Sequence, residues 1–437
     1  MFGYYLTLAL RSLRQNVVLT ALMVLAIGTG VGASMTMLTI FRAVGGDPIP
    51  GKSSQLFTVR IDNYGPIIGS AMPPLMTYTD AQALMQSRRA VRQAAMYPLS
   101  LSIIPPAPGA NPIHVTAHAT YGDFFPMFDV PFEYGGPWGG AEDDAHASVV
   151  VLTHGLNERM FDGADSVGRT VDIDDKLYRV IGVTRDWRPS PEFYDWAATT
   201  RNGTYGGSDE LFIPFASAVD AAFQPSEGYG CDAHGAGTGW SGILHANCIW
   251  ISFWAELPTT QAVAAYRTYL LNYAAQQREI GRFNWPPRVA LQDVMGWLRD
   301  NHIVPPAIDT LTGMAFAILG VCLLNATGLM LAKFISRSGS IGVRRALGAS
   351  RSALFLQWLV EAGAIGLVGA LVGLGLTMIG LTSCRMVMPP DLARFARADV
   401  LDVAIAVATA LTGALLAGLY PTWRVARVQS TLQLKAQ

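Results

Sequence analysis

The sequence predicts a membrane protein: four transmembrane α-helices, arranged one plus three, with a large extracytoplasmic α+β domain between the first helix and the second. Four apolar runs, at 17–41, 310–333, 361–381 and 400–420, are each long enough to cross about 30 Å of hydrocarbon as a helix. Residues 42–309 are largely water-compatible and numerous enough to bury a core of their own. Basic residues gather beside particular ends of the runs, the asymmetry that orients a membrane chain. Composition agrees, since 51% hydrophobic and 14% charged residues stand well below the usual quarter of charged positions. A net charge of −1 leaves no footprint for nucleic acid.

Residues 1–16 place Tyr4, Leu6, Leu8, Ala9, Leu10 and Leu13 among Arg11 and Arg14, the pattern of a short amphipathic helix on the inner membrane face. A frayed extension of the first span is the plainer alternative. The run at 17–41 exceeds the roughly 7–15 apolar residues of a secretory signal, so it is expected to remain as an anchor.

Orientation follows from the flanks. Arg11 and Arg14 precede the first run; Lys333, Arg337, Arg344, Arg345 and Arg351 stand between the second and third with no acid before Glu361; Arg424, Arg427 and Lys435 follow the fourth. Lys and Arg are retained in the cytoplasm. Both termini, the 334–360 loop and the 421–437 tail are therefore expected inside an inner (cytoplasmic) membrane. Residues 42–309 and the 382–399 connection, where Asp391, Asp399 and nearby Asp402 balance Arg385, Arg394 and Arg397, are expected outside.

Beyond the first run, Gly46-Asp47-Pro48-Ile49-Pro50-Gly51-Lys52-Ser53 spells a Walker A string. A working phosphate loop follows a buried strand and opens a helix. This one follows a membrane helix, lies on the outer side and leads into the strand-like 55–61, while Pro48 and Pro50 stiffen the backbone that would wrap phosphate. It is read as a chance match.

Within 42–309, period-two segments at 148–152, 170–173 and 177–183 predict strands, and 79–86 and 260–277 predict helices. Pro- and Gly-rich breaks at 105–112, 134–140 and 228–242 suggest two subdomains, one of 52–140 plus 280–305 and an insertion at 141–279. A helix at 291–302 is expected to lead back to the membrane.

Val149-Val150-Val151-Leu152-Thr153-His154-Gly155-Leu156, then Val167-Gly168-Arg169-Thr170-Val171 and Tyr178-Arg179-Val180-Ile181-Gly182-Val183, resemble the periplasmic core domain of MacB-type permeases. Cys322-Leu323-Leu324-Asn325-Ala326-Thr327-Gly328-Leu329, then Ile341-Gly342-Val343-Arg344-Arg345-Ala346-Leu347-Gly348, then Gly418-Leu419-Tyr420-Pro421-Thr422-Trp423-Arg424, are similar to the FtsX-like permease signature. The resemblance implies the permease subunit of an ABC transporter that couples ATP hydrolysis to motion of its periplasmic domain, exporting a substrate from the periplasm or inner membrane. Some relatives carry an ATPase domain ahead of the first span, where sixteen residues stand here, so the ATPase with its ATP and Mg is expected in a separate cytoplasmic subunit. The resemblance also implies a second permease, in a homodimer or heterodimer, and a tripartite route through a periplasmic adaptor and a TolC-like outer-membrane channel. The same topology fits a lipoprotein-releasing permease, or a transmembrane regulator of an envelope hydrolase or sensor kinase.

The resemblance makes Ile341, Gly342, Val343, Arg344, Arg345, Ala346, Leu347 and Gly348 the ATPase-coupling residues. By pattern alone, 340–358 is a basic amphipathic segment that rests more readily on an anionic lipid surface than in a groove on another protein, and the resemblance reverses that order. Glu361, just beyond it, is expected to snorkel or pair with a neighbouring Arg. The third run is dense in Gly363, Gly366, Gly369, Gly373, Gly375 and Gly380, spacing that brings helix backbones close, within the subunit or across a dimer.

Cys231 and Cys248 fall in the expected outer compartment and are read as a disulfide. Cys231-x-x-His234 with His245-x-x-Cys248 offers four metal ligands as the competing arrangement. The histidines at 114, 118, 146, 154 and 302 have no Ser or carboxylate partner at a motif spacing, and Glu142-Asp143-Asp144 reads as a solvated loop. A transporter subunit without its own catalytic site or bound cofactor is the expectation.

Overall fold

A computed structural model describes residues 16–63, 72–106, 109, 111–189, 191–195, 209–232, 235, 237–286, 288–301, 306–336, 350–387 and 398–427. In chain order the elements begin with α1 (Val17–Gly45), β1 (Leu56–Ile61), β2 (Met76–Thr77), α2 (Tyr78–Ser87), β3 (Arg92–Ile104), β4 (Ile113–Thr120), α3 (Phe124–Met127), β5 (Phe132–Gly135) and α4 (Gly140–Asp144). They continue through β6 (Val149–Leu152), α5 (His154–Phe161), β7 (Thr170–Ile173), β8 (Lys176–Thr184), β9 (Leu211–Pro214), α6 (Phe215–Asp220), β10 (Gly230–Cys231), α7 (Gly239–His245) and β11 (Cys248–Glu256). Last come α8 (Thr260–Glu279), β12 (Val289–Asp293), α9 (Val294–Asp300), α10 (Pro306–Ile335), α11 (Arg351–Val387) and α12 (Val400–Arg427). They form a helical unit, residues 1–45 with 305–437, and an α+β unit, residues 46–304. The expected amphipathic segment at 1–15 lies outside the described residues.

Among the described residues, four helices are long and apolar enough to cross a membrane, over Val17–Gly45, Asp309–Lys333, Phe355–Val387 and Val400–Leu419. The first runs four residues beyond the expected end at Phe41, because Arg42 is held by Asp402 and need not end the span. The third begins earlier than 361: α11 starts at Arg351, so the end of the expected cytoplasmic loop is already helical. Within this unit α1 packs on α10 and α11, and α12 packs on α11 and α10.

In the α+β unit the strand order is β12-β1-β11-β3-β4-β9-β6-β8-β5, with β2 and β10 on β11 and β7 between β3 and β8. Pairing is antiparallel except for β4 with β9 and β6 with β8. Side chains alternate between two cores. Along β3, Ala94 and Met96 enter one and Ala95 and Tyr97 the other; along β6, Val149 and Val151 oppose Val150 and Leu152. Helices α2, α5, α6 and α8 cover the first face, and α3, α9 and Phe193–Tyr194 cover the second. A sheet clothed on both faces explains why Val149–Leu152 reads as an unbroken apolar run.

This strand order departs from the expected subdomain boundary. β11 lies in the span expected as an insertion, 141–279, yet it pairs with β1 on one side and β3 on the other. All nine of its residues are buried, so it is a central strand whose apolar face outweighs its position in sequence. The expected return helix at 291–302 is split, with Val289–Asp293 pairing as β12 and α9 starting after Asp293, whose carboxylate caps the Gly296 N–H at 2.9 Å.

Candidate functional site

Among the described residues of the helical unit, ion pairs join helices at Lys333–Glu361 and at Arg42–Asp402. Lys333, at the end of α10, is fully buried, and its Nζ lies 2.7 Å from Glu361 Oε1 of α11, which is 2% exposed. The same Nζ donates to Thr20 Oγ1 of α1 at 3.3 Å. One ammonium thus ties three helices together, and Glu361 pairs with a lysine that precedes it by 28 positions rather than with an arginine. Elsewhere in the unit, Arg42 of α1 pairs with Asp402 of α12. Asp402 is held in turn by the α12 start, where its N–H donates to Asp399 Oδ1 at 2.7 Å.

Between the two pairs the helices meet through small residues. A Cβ built on Gly28 would stand 2.8 Å from Val372 Cγ1, and one on Gly32 would stand 2.7 Å from Leu376 Cβ. Conversely, one on Gly373 would meet Val31 Cγ1 at 2.9 Å. α1 and α11 are therefore locked by reciprocal close approach within one chain. Of the expected polar groups in the second span, Thr327 hydrogen-bonds back to Leu323 O at 2.8 Å and Asn325 is exposed, so neither builds a buried polar path.

The expected coupling residues Ile341, Gly342, Val343, Arg344, Arg345, Ala346, Leu347 and Gly348 lie outside the described residues. Their two supports are described: α10 ends at Ile335 and α11 starts at Arg351, and the Lys333–Glu361 pair joins those helices.

In the α+β unit Cys231 and Cys248 are joined, Sγ to Sγ at 2.01 Å, where β10 pairs with β11. Joined sulfurs cannot serve as thiolate ligands. Of the competing metal set, His245 Nδ1 contacts Ser241 O at 2.8 Å, and His234 lies outside the described residues.

The Walker-like string is engaged structurally. Lys52 Nζ donates to Pro126 O at 2.8 Å and Asp129 Oδ1 at 2.6 Å, while Asp47 accepts from the Ile49 N–H and from Ser53 Oγ. Residues 50–55 form turns that lead into β1, not a helix that could cradle phosphate.

Several expected solitary groups have partners. His114 Nε2 contacts Ser100 Oγ at 2.8 Å, His146 Nδ1 meets Asp220 at 2.5 Å, and His154 Nδ1 meets Glu133 at 2.8 Å. His118 is wholly buried, its Nδ1 3.2 Å from Asp209 and 3.9 Å from Asp195. Tyr194 OH donates to Asp209 at 2.8 Å, and buried Glu192 adds a third carboxyl. Burial alone would lower the His118 pKa, but the carboxylates of Asp209, Asp195 and Glu192 outweigh it and hold it at about 9. Burial, then the Asp209 charge, pushes Glu192 up to about 8.

Asp143 corrects the solvated-loop expectation. It sits in α4, buried, and accepts from the Gly122 N–H at 2.8 Å and from Trp138 Nε1 at 2.9 Å. Burial raises its pKa to about 6 against those two hydrogen bonds. No spacing in the sequence announces these partners; the position of Lys333 and Glu361 at the rims of apolar runs is the signal that could have found their pairing, where an arginine was expected.

Comparison with known proteins agrees with this division. The MacB-like periplasmic core domain profile matches residues 20–268, more than half of the chain, and the FtsX-like permease C-terminal profile matches residues 312–430. The macrolide export ATP-binding/permease protein MacB of Rhodospirillum rubrum is 26% identical, aligned over 100% of this chain and 61% of that protein. MacB of Syntrophobacter fumaroxidans is 23% identical over 98% of this chain and 63% of that protein. The chain thus spans about three fifths of the length of these relatives. Among solved structures, the periplasmic region of MacB from Actinobacillus actinomycetemcomitans overlaps 60% of this chain and 95% of that one, at 12% identity and a TM-score of 0.36. Four apolar helices in this family mark an inner-membrane protein. The chain belongs to the MacB-like permeases of the FtsX family.

Proposed function

We propose that the chain is the permease subunit of a MacB-type ABC transporter, working as a mechanotransmitter rather than as an enzyme. A separate cytoplasmic ATPase, holding ATP and Mg, docks on the loop that contains Ile341 to Gly348. Its closure drives two permease subunits together, and α1 and α10, which lead into and out of the α+β unit in sequence, carry the motion toward the periplasmic side. Export of a substrate from the periplasm or inner membrane follows, with a periplasmic adaptor and an outer-membrane channel as further partners. In this reading the termini and the 337–349 loop face the cytoplasm, as the positive flanks direct.

The observation that carries the reading is the buried Lys333–Glu361–Thr20 contact. A loop can push on helices only if their near ends move together, and here one ammonium joins the two helices that bracket the loop to α1. In hydrocarbon each ion alone is costly, so the two charges are kept together and fix how the helix ends meet.

The test is co-expression with candidate ABC ATPases, followed by purification from membranes. A stable complex whose ATPase rate rises with the permease, and loses that rise when Arg344 and Arg345 become Glu, is expected. A chain that binds no ATPase and changes no ATPase rate overturns the reading. Release of acylated proteins by an active complex would select the lipoprotein-releasing alternative.

A further inference from the structure

The α+β unit holds a cleft of about 660 Å³, within the size range of sites for drug-sized ligands. One wall is α2, with Tyr78, Gln82 and Met85; the facing wall is built by 137–146 and the end of α6. Its floor is aromatic. Tyr121 stacks on Phe215 with ring centroids 5.3 Å apart, and Tyr78 stacks on both Phe215 and Trp250 at 6.3 Å.

Charge in the cleft is one-sided. Asp123, Asp143, Asp144 and Asp220 line it, against Arg88 and the imidazole of His146. Asp143 is buried and Asp123 is exposed, and each is fixed by accepting a backbone N–H, from Gly122 at 2.8 Å and from Gln93 at 3.2 Å respectively. Asp144 and Asp220 stand exposed at the rim, and each has drawn a basic group of the protein. Arg88 approaches Asp144 across the cleft at 4.0 Å, from a residue with φ 46°, a conformation that non-glycine residues seldom adopt. His146 reaches Asp220 at 2.5 Å. Arg88 is 81% exposed, so its guanidinium is weakly held and displaceable.

We propose that this cleft binds an organic cation of drug size with a flat aromatic body. The body lies on the Tyr78 and Tyr121 surface, and the positive charge takes the place of the Arg88 guanidinium beside Asp144, with Asp220 in the same lining. Aromatic faces and carboxylates attract a cation together, whereas an anion of the same shape meets four carboxylates. As a cargo site the cleft rests on the permease reading; as a binding site it does not, and binding is measured without an ATPase.

The experiment uses the full chain in phosphatidylcholine nanodiscs, nuclease-treated, with empty discs subtracted. Ethidium is the cationic probe, anilinonaphthalene sulfonate the anionic one and N-phenylnaphthylamine the neutral one, each followed by fluorescence. Saturable ethidium binding that weakens with salt is expected, reduced on the order of tenfold in Asp144→Asn/Asp220→Asn and strengthened in Arg88→Ala. These side chains are exposed, so the variants retain the fold, which an unchanged thermal midpoint verifies. Absence of saturable ethidium binding, unchanged binding in the double variant, or equal competition by the anionic probe overturns the proposal. Ethidium binding by a chain that stimulates no ATPase leaves the site standing and removes the permease reading; ATPase stimulation without ethidium binding does the reverse.

Discussion

Lys333 Nζ stands 2.7 Å from Glu361 Oε1 with both side chains out of reach of solvent, and the pair joins the two helices on either side of residues 337–349 in sequence. Removing one partner strips a buried ion of its opposite charge, so Lys333→Ala or Glu361→Ala should each cost about 3–5 kcal/mol. The double replacement Lys333→Met/Glu361→Leu should restore most of that stability while loosening the fixed geometry of the junction. Thermal unfolding in detergent checks the first part. The second is checked by ATPase stimulation, which should fall in the double variant even where its stability equals the parent's. Equal stability in both single variants and the parent would show that the pair bears no load.

The glycines of α1, α10 and α11 fall into two groups by what stands opposite them. Gly32→Val puts a branched side chain where a Cβ already meets Leu376 at 2.7 Å, and Gly373→Val does the same against Val31 at 2.9 Å. Each should destabilise by about 1–3 kcal/mol or more through overpacking. Gly320→Ala and Gly375→Ala face open space in the chain and should be neutral or slightly stabilising. Cross-linking efficiency between cysteines placed on α1 and α11 separates displacement of the helices from global unfolding. Equal effects in the two groups would mean that α1 and α11 do not meet as described.

Much of this organisation was legible in the sequence because its causes are local. Hydrocarbon thickness sets the length of an apolar run, so the four spans stand out in the sequence, and the helix-period pattern at 260–277 marks α8 closely. The β3 and β11 strands were not anticipated. β11 and the first part of β3 are buried on two faces, which erases the alternation that marks a strand, and β11 joins β1 from almost two hundred residues away. The same limit applies to the site. Charged residues at the rims of apolar runs suggested a pair for Glu361, but choosing Lys333 over an arginine depends on which helix faces meet. His118 and Asp209 come together only because β4 pairs with β9, a register that no local motif encodes.

The Cys231–Cys248 bond closes a short loop in the α+β unit, with a sequence separation of 17. Loop-closure entropy gives a bridge of that span about 3 kcal/mol. Cys231→Ser/Cys248→Ser, or reduction of the native protein, should lower stability by about that amount and expose the 228–247 segment to protease. Mass spectrometry of the unreduced protein should find the two cysteines linked. Free thiols at both positions in protein exported normally would remove the bridge.

The buried His118, Glu192, Asp195, Asp209 group makes the folded α+β unit hold protons that the unfolded chain releases. His118, raised from 6.5 to about 9, contributes stability that is complete below pH 6.5 and disappears as pH rises through 9. Glu192, raised from 4.5 to about 8, keeps its proton in the folded state where the unfolded chain is already ionised, so folding again weakens as pH rises, between 4.5 and 8. Both act in one direction, because the native state binds more protons than the unfolded one and the slope of stability against pH is then negative, at about 1.4 kcal/mol per pH unit for each proton. The thermal midpoint, followed by tryptophan fluorescence, should therefore fall from pH 6.5 to 9. Glu192→Gln mimics the protonated carboxyl, and should flatten the fall below pH 8 and stabilise the protein above it. A midpoint that rises over the same interval, or a Glu192→Gln profile that overlays the parent's, would mean that these carboxyls reach water and that His118 does not stand between them as an imidazolium.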